Sequence, residues 1–292
     1  MLIPQNLRDL IAQGLIQDVL RPLKSGKEAA VFVVLHEGQE RAAKVYKAAE
    51  RRNFRARADY VEGRRVGDSR QQRAMDRGSK FGKQQSEAAW QTAEARAMAR
   101  LYAAGVRVPK VLGSADGCLV MDLVVDANGD PAPQLAHSRF THHEALKVHA
   151  LLMRQVALML CAGLIHADLS EFNILHAADG PMIIDVPQAV EAARNNNAKR
   201  MLIRDVDNVT RFLAKFAPEI RRTEYAQEMW LLYQNSSLRP DSPLTGRFKA
   251  ATNIVNTDII LREIQAAKEE AARREEIKQA RGDKSRRGGK PA

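Results

Sequence analysis

HADLSEFNIL, residues 166–175, sets a histidine, two carboxylates, a serine and an asparagine between the apolar pairs Leu164–Ile165 and Ile174–Leu175. Polar and charged groups carried to the edge of a core are costly unless something pairs with them, so the cluster points to a hydrogen-bonded network or a site. His166, Asp168 and Asn173 spell H-x-D-x-x-x-x-N, and another carboxylate, Asp185, follows in PMIIDV, residues 181–186. Phosphoryl transfer needs such a set. The reaction gives protein groups little covalent work, so catalysis is positioning plus neutralisation of the charge developing on phosphate oxygens. Asp168 is placed to orient and deprotonate an attacking hydroxyl. Asn173 and Asp185 offer the hard oxygen donors that a Mg²⁺ ion prefers.

A nucleotide also needs a cation on its phosphates. Lys44, in RAAKVYK, supplies it from a strand on which Ala43 and Val45 point to the opposite face. Glu94, in the Ala-rich run 87–104, is the candidate to hold Lys44, with Glu87 as the other acid available. The loop KSGKEAAV, residues 24–31, carries one glycine, Gly26, and is neither G-x-G-x-x-G nor a Walker loop, so its glycine pattern alone identifies nothing.

Outward from these motifs, apolar spacing predicts a short helical cap over residues 6–20, interrupted by Gly14. AVFVVL and RAAKVY, around the turn-rich HEGQE, predict a β-hairpin. The run 87–104 predicts a helix stopped by Gly105, then the strands KVLG and CLVMDLV, and a turn-rich divide DANGDPAPQ. A second helix is expected over 142–162, a strand–turn–strand over NILH and PMIIDV, and an amphipathic helix over 201–216. His142 and His143 lack a Cys or acidic pair to complete a metal site and read as polar residues at a helix start. Residues 51–85 are rich in Arg, Gln and Gly and poor in core-sized side chains, which predicts a mobile basic insertion. Glu269–Arg273 and Glu270–Arg274 pairs predict an exposed helix near the C-terminus, followed by a disordered basic tail.

The 292 residues, 45% of them hydrophobic, are enough for one two-lobed globular domain. The apolar stretch 156–165 is about half the ~20 residues a membrane span requires, and the N-terminus lacks the pattern of a secretory signal. Cys118 and Cys161, both in apolar company, read as buried thiols of a reducing compartment, so the cytoplasm is the expected location, with no membrane association. With 46 basic against 35 acidic side chains, a net +11, the surface should favour phosphate-bearing or acidic partners.

SGKEAAVF, AAKVYK, HADLSEFNIL, IIDVPQAV and RDVDNVTRF together resemble the RIO family of atypical protein kinases, in particular its RIO1-like and bacterial members. The motifs stand in the family's order between residues 15 and 216. Ser170 and Glu171 separate this likeness from small-molecule phosphotransferases, which share the same acid and amide spacing. The resemblance implies an α+β, two-lobed protein-kinase-like fold that lacks a full activation segment. Residues 1–121 would form a small β-rich N-terminal lobe, 122–222 a helical C-terminal lobe, and 223–292 a helical extension. Ala217-Pro218-Glu219, the tripeptide that closes an ordinary activation segment, lies beyond the RDVDNVTRF helix and is read as coincidence.

The resemblance further implies ATP with Mg²⁺ (or Mn²⁺) and phosphorylation of Ser/Thr hydroxyls on proteins, including autophosphorylation. It assigns Asp168, Lys44 and His166 as the catalytic residues, Asp168 being the proton acceptor and Lys44 lying on the phosphates, with Asn173 and Asp185 as metal ligands. It also places Ser25, Gly26 and Lys27 over the triphosphate, and Asp122 and Val124 at the adenine. Eukaryotic and archaeal relatives are linked to small-ribosomal-subunit maturation, so a ribosome- or RNA-associated ATPase switch, working through the basic insertion and tail, stands as the first alternative, and a small-molecule phosphotransferase as the more distant one. The chain departs from the family's S-T-G-K-E-A loop at Lys24-Ser25-Gly26, a change that backbone contacts would survive.

Overall fold

The computed structural model describes residues 3–47 and 93–248, all within one compact unit, Met1–Phe248. The proposed insertion at 51–85 and the expected helix and tail near the C-terminus lie outside the described residues.

Helix α1 (Gln5–Ala12) ends at Gly14, whose φ of +73° reverses the chain. The chain then enters strand β1 (Asp18–Ser25), so Val19 and Leu20 are in a strand and not in the expected helical cap. Pairing decides this: β1 is hydrogen-bonded along its length to β2 (Ala29–His36), which outweighs the helical spacing of Leu7, Leu10, Ile11, Leu15, Val19 and Leu20. β2 turns at Glu37–Gly38 into β3 (Gln39–Tyr46), the expected hairpin. With β4 (Val111–Ala115) and β5 (Cys118–Asp122) these form a five-stranded antiparallel sheet in the order β1-β2-β3-β5-β4.

Strand alternation gives the sheet two jobs. Val34, Ala43, Val45, Cys118 and Val120 face α1 and pack on Leu7, Leu10 and Ile16. The intervening Lys44, Tyr46 and Leu119 take the other face, toward helix α2, described over residues 93–103, with its buried Met98 and Leu101.

The helical part is organised by α3 (His142–Cys161). A capping box starts it, in which Thr141 accepts from the Glu144 N–H and Glu144 accepts from the Thr141 N–H. Leu152, Met153, Val156 and Leu160 of α3 are buried against α4 (Ala198–Leu213) and the short strands between them. Those strands are β6 (Leu164–Ile165), paired with β9 (Val190–Glu191), and the hairpin of β7 (Ile174–Ala177) with β8 (Gly180–Ile183). Helix α5 (Tyr225–Gln234) follows a 3₁₀ turn at Pro218–Arg222, so A-P-E sits after α4. His142 and His143 open α3 at the surface. Cys118 is buried as expected, whereas Cys161, the last residue of α3, is exposed, because helix ends present all their faces more readily than helix middles. No described helix is long and apolar enough to cross a membrane.

Candidate active site

Lys44 is delivered by the inner face of β3, buried, and its ammonium is shared by two carboxylates. Nζ lies 2.7 Å from Glu94 Oε1 and 2.6 Å from Asp185 Oδ1. The second Glu94 oxygen accepts from the Tyr46 hydroxyl at 2.6 Å. Burial alone would lower the Lys44 pKa, but Glu94 and Asp185 outweigh it and hold the ammonium above its usual range. Burial pushes the Glu94 carboxyl up, against the pull of Lys44. Desolvation also presses on Asp185, yet Lys44 keeps it below the ordinary carboxylate range. Glu94 is therefore an acid beside Lys44, together with Asp185, while Glu87 lies outside the described residues.

The HADLSEFN loop hangs between β6 and β7. His166 is buried, with Nε2 donating to the carbonyl of Ile184, the residue before Asp185, at 3.1 Å. It ties the two acidic segments together and is not open to a substrate, so its place is that of a brace and not of a group touching reacting atoms. Ala167 and Asp185 both take positive φ, +67° and +64°, a conformation costly to non-glycine residues and met mostly where surroundings enforce it.

At Ala167 the enforcement comes from α4. Asp205, 1% exposed, accepts from the Ala167 N–H at 2.7 Å and the Leu169 N–H at 3.0 Å. Arg204 donates to the Ala167 carbonyl, and Asn208 donates to the Leu169 carbonyl at 3.1 Å. The backbone on both sides of Asp168 is thus fixed while its side chain stays at the surface of the cleft. Burial of part of the Asp168 carboxyl raises its pKa, with Arg204 opposing and Asp185 assisting. Asn173 Nδ2 donates to the Asp168 carbonyl at 2.8 Å, which commits the amide nitrogen and leaves the amide oxygen as its donor atom for a cation.

Arg204, Asp205, Asn208 and Tyr46 were not assigned roles from sequence. RDVDNVTRF contributed to the family likeness, but an acid on an amphipathic helix is ordinarily solvated, and only the loop's position shows which backbone groups it serves.

Ser25, Gly26 and Lys27, expected over the triphosphate, lie at the end of β1. The Gly26 N–H donates to the Ala29 carbonyl at 2.8 Å, and Lys47 donates to the Ser25 hydroxyl at 3.2 Å and to the Gly26 carbonyl. Lys27 is exposed. At the end of β5 the Asp122 N–H donates to the Lys110 carbonyl at 3.0 Å, and the Val124 carbonyl accepts from Ala132 at 2.9 Å. Among the described residues the Val124 N–H has no partner, which leaves it available to an acceptor.

Among the described residues no cluster of three or more His, Cys, Asp or Glu could hold a metal ion. The Asp185 carboxylate and Asn173 amide oxygen form a sparser set, of the kind that suits a hard cation completed by water and substrate phosphates.

The RIO domain family matches residues 30–226. The RIO-type serine/threonine-protein kinase Rio1 of Haloferax volcanii is 34% identical over 209 residues, 70% of this chain and 67% of that protein. The serine/threonine-protein kinase rio1 of Schizosaccharomyces pombe is 32% identical over 191 residues, 63% and 36% of the two chains. The human serine/threonine-protein kinase RIO1 is 29% identical over 208 residues, 70% and 35%. The chain therefore spans about two-thirds of the archaeal relative but little more than a third of the eukaryotic ones. A crystal structure of a kinase domain is similar at a TM-score of 0.42 and 13% identity, over 70% of this chain and 65% of its own, too weak a likeness to add to the family match. With its family match covering more than half of its length, the chain belongs to the RIO family of serine/threonine protein kinases, enzymes that use ATP with a divalent metal ion.

Proposed function

We propose that the chain transfers the γ-phosphoryl group of ATP to Ser or Thr hydroxyls of proteins, its own included, with Asp168 as the proton acceptor. The hydroxyl oxygen forms a bond to the γ-phosphorus as the bond to the β,γ-bridging oxygen breaks; the hydroxyl proton passes to Asp168, and ADP leaves. Lys44 supplies a fixed positive charge to the phosphates, held in the ionised state by Glu94. Asp185 and Asn173 Oδ1 would hold Mg²⁺ or Mn²⁺, which supplies further neutralisation of phosphate charge when bound. Ser25, Gly26 and Lys27 form the turn over the triphosphate, and the Asp122–Val124 segment offers backbone groups to adenine. His166, Asp205, Arg204 and Asn208 hold the base in place.

The observation that carries this reading is the convergence of Lys44, Glu94 and Asp185 within 2.7 Å contacts, beside a loop whose backbone is pinned on both sides of Asp168. General-base catalysis contributes about 10²–10⁴-fold. Asp168→Ala should lose about that factor in labelling of protein from γ-labelled ATP, with ATP affinity retained; undiminished labelling would refute the assignment.

The net charge of +11 favours a second role as a ribosome- or RNA-associated ATPase switch. Co-sedimentation with ribosomal particles that ignores both ATP and deletion of residues 51–85 would count against it. The free Cys118 and Cys161 support the reducing cytoplasm as the compartment.

A further inference from the structure

Lys47, the first residue after β3, grips the turn between β1 and β2 with both its main chain and its side chain. Its N–H donates to the Glu28 carbonyl at 2.8 Å, carrying the β2–β3 pairing one step past that of Ala29 with Tyr46. Its ammonium donates to the Ser25 hydroxyl at 3.2 Å and to the Gly26 carbonyl. In the order β1-β2-β3, β1 and β3 stand two strand spacings apart, about 10 Å. The lysine side chain therefore crosses the end of β2, and the turn folds over that end to meet it.

The turn also faces the carboxylates of the site. Besides burial, Arg204 and Asp185, the Glu28 carboxylate acts on Asp168 and pushes it up. Besides burial, Lys44 and His166, the Lys24 ammonium acts on Asp185 and holds it down. Both ends of the turn are thus within electrostatic reach of the cleft. The Gly26 N–H is taken by the Ala29 carbonyl at 2.8 Å, whereas the Lys27 N–H at the tip has no acceptor among the described residues. An N–H presented in this way receives a phosphate oxygen only while the turn keeps its shape.

Lys44 and Lys47 bring different charges to that place. Lys44 is shared by Glu94 and Asp185, at 2.7 and 2.6 Å. Lys47 meets only neutral oxygens, and no carboxylate pairs with it among the described residues. Ser25 and Gly26 occupy two of its three N–H donors, which leaves one for a further acceptor. Such contacts fix an ammonium without cancelling its charge, as a group facing a polyanion requires.

We infer that Lys47 is a positioning residue for the triphosphate, locking the Ser25–Glu28 turn in its phosphate-receiving shape and adding uncancelled positive charge there, an inference that rests on the kinase reading above.

The test uses the full chain with Mg²⁺, reading Kd for ATP and for adenosine by calorimetry, and KM and kcat from protein labelling. Loss of hydrogen bonds from a charged donor is worth about tenfold or more in affinity. Lys47→Ala should therefore raise Kd and KM for ATP about tenfold while kcat stays within about threefold and Kd for adenosine is unchanged. Lys47→Arg keeps the charge and the donors, and its ATP affinity should stay within about threefold of wild type. Ser25→Ala removes one anchor of the ammonium, so its loss and that of Lys47→Ala should not add in the double variant. Wild-type ATP affinity in Lys47→Ala, beside intact Asp168-dependent labelling, overturns this inference alone. Equal losses for ATP and adenosine would make the lysine a support of the whole pocket and overturn it too. A wild-type chain that binds ATP no more tightly than adenosine and shows no Asp168-dependent labelling overturns the kinase reading with it.

Discussion

Lys44 Nζ stands 2.6 Å from Asp185 Oδ1, joining a strand of the sheet to the acidic segment after β8 across 141 positions of sequence. The same ammonium neutralises Glu94, which is 1% exposed and has no other cation in contact among the described residues. Removing Lys44 therefore has two separable effects, one on stability and one on chemistry.

Lys44→Met should abolish protein labelling and also destabilise the fold by about 3–5 kcal/mol, because an uncompensated carboxylate is left buried. Lys44→Met/Glu94→Leu should recover most of that stability while remaining inactive. Urea unfolding and labelling assays on both variants check it. Stability that stays low in the double variant would show that Glu94 is not what the lysine compensates.

Two buried groups should give the stability opposing pH dependences over one window. Burial pushes Asp205 up to about 7, against the Ala167 and Leu169 N–H groups and Arg204. With an ordinary value of 3.8, its contribution is full below about pH 4 and is lost as pH rises through 7, about 4 kcal/mol in all. Burial lowers His149, whose Nε2 lies 2.9 Å from Thr210 Oγ1, from 6.5 to about 4. Its contribution is present above pH 6.5 and is lost as pH falls toward 4, about 3 kcal/mol. The two largely cancel in wild type. Asp205→Asn should reveal a steep loss of stability on acidification, and His149→Gln a gain, read from urea midpoints between pH 4.5 and 6.5. Parallel profiles for both variants and wild type would contradict the assignment.

The same residues show what the sequence could and could not disclose. Lys44, Asp168, Asn173 and Asp185 stand out because phosphoryl transfer demands those groups in that order, and the sheet follows from period-two alternation in AVFVVL and RAAKVY. The β1 boundary was hidden: Val19 and Leu20 continue the apolar spacing of α1, and only pairing with Leu35 and Val34 makes that segment a strand. Asp205 and Tyr46 were hidden for another reason. Their partners are backbone amides 36 and 38 residues away and a carboxylate 48 residues away, and no local pattern encodes such distances.

Ala167 offers a test of loop geometry beside Asp168. Its φ of +67° costs a non-glycine residue about 1–2 kcal/mol, supplied by the hydrogen bonds to Asp205 and Arg204. Ala167→Gly should be nearly neutral in stability, since relief of that strain is offset by a more flexible unfolded chain. Ala167→Val cannot easily take the left-handed conformation and is fully buried, so it should displace Asp168. Its kcat should fall at least about tenfold, with the KM for ATP little changed. A valine variant with wild-type kcat would show that loop geometry does not limit the reaction.

Tyr46 sets the acid limit of the Lys44–Glu94 pair. Its hydroxyl donates to Glu94 Oε2 at 2.6 Å, stabilising the ionised carboxyl that burial opposes. Tyr46→Phe leaves that oxygen without its donor, at a cost of about 1–3 kcal/mol while Glu94 stays charged. The Glu94 pKa must then rise further, because only its ionised form lost a partner. Protonation of Glu94 removes the charge that holds Lys44 in place, so activity should fail at a higher pH as the solution is acidified. The acid limb of the kcat/KM profile should therefore move upward in Tyr46→Phe, while activity well above the limb stays within a few fold of wild type. An unmoved limb with uniformly reduced activity would mean that the phenol supports packing and not the charge state of Glu94.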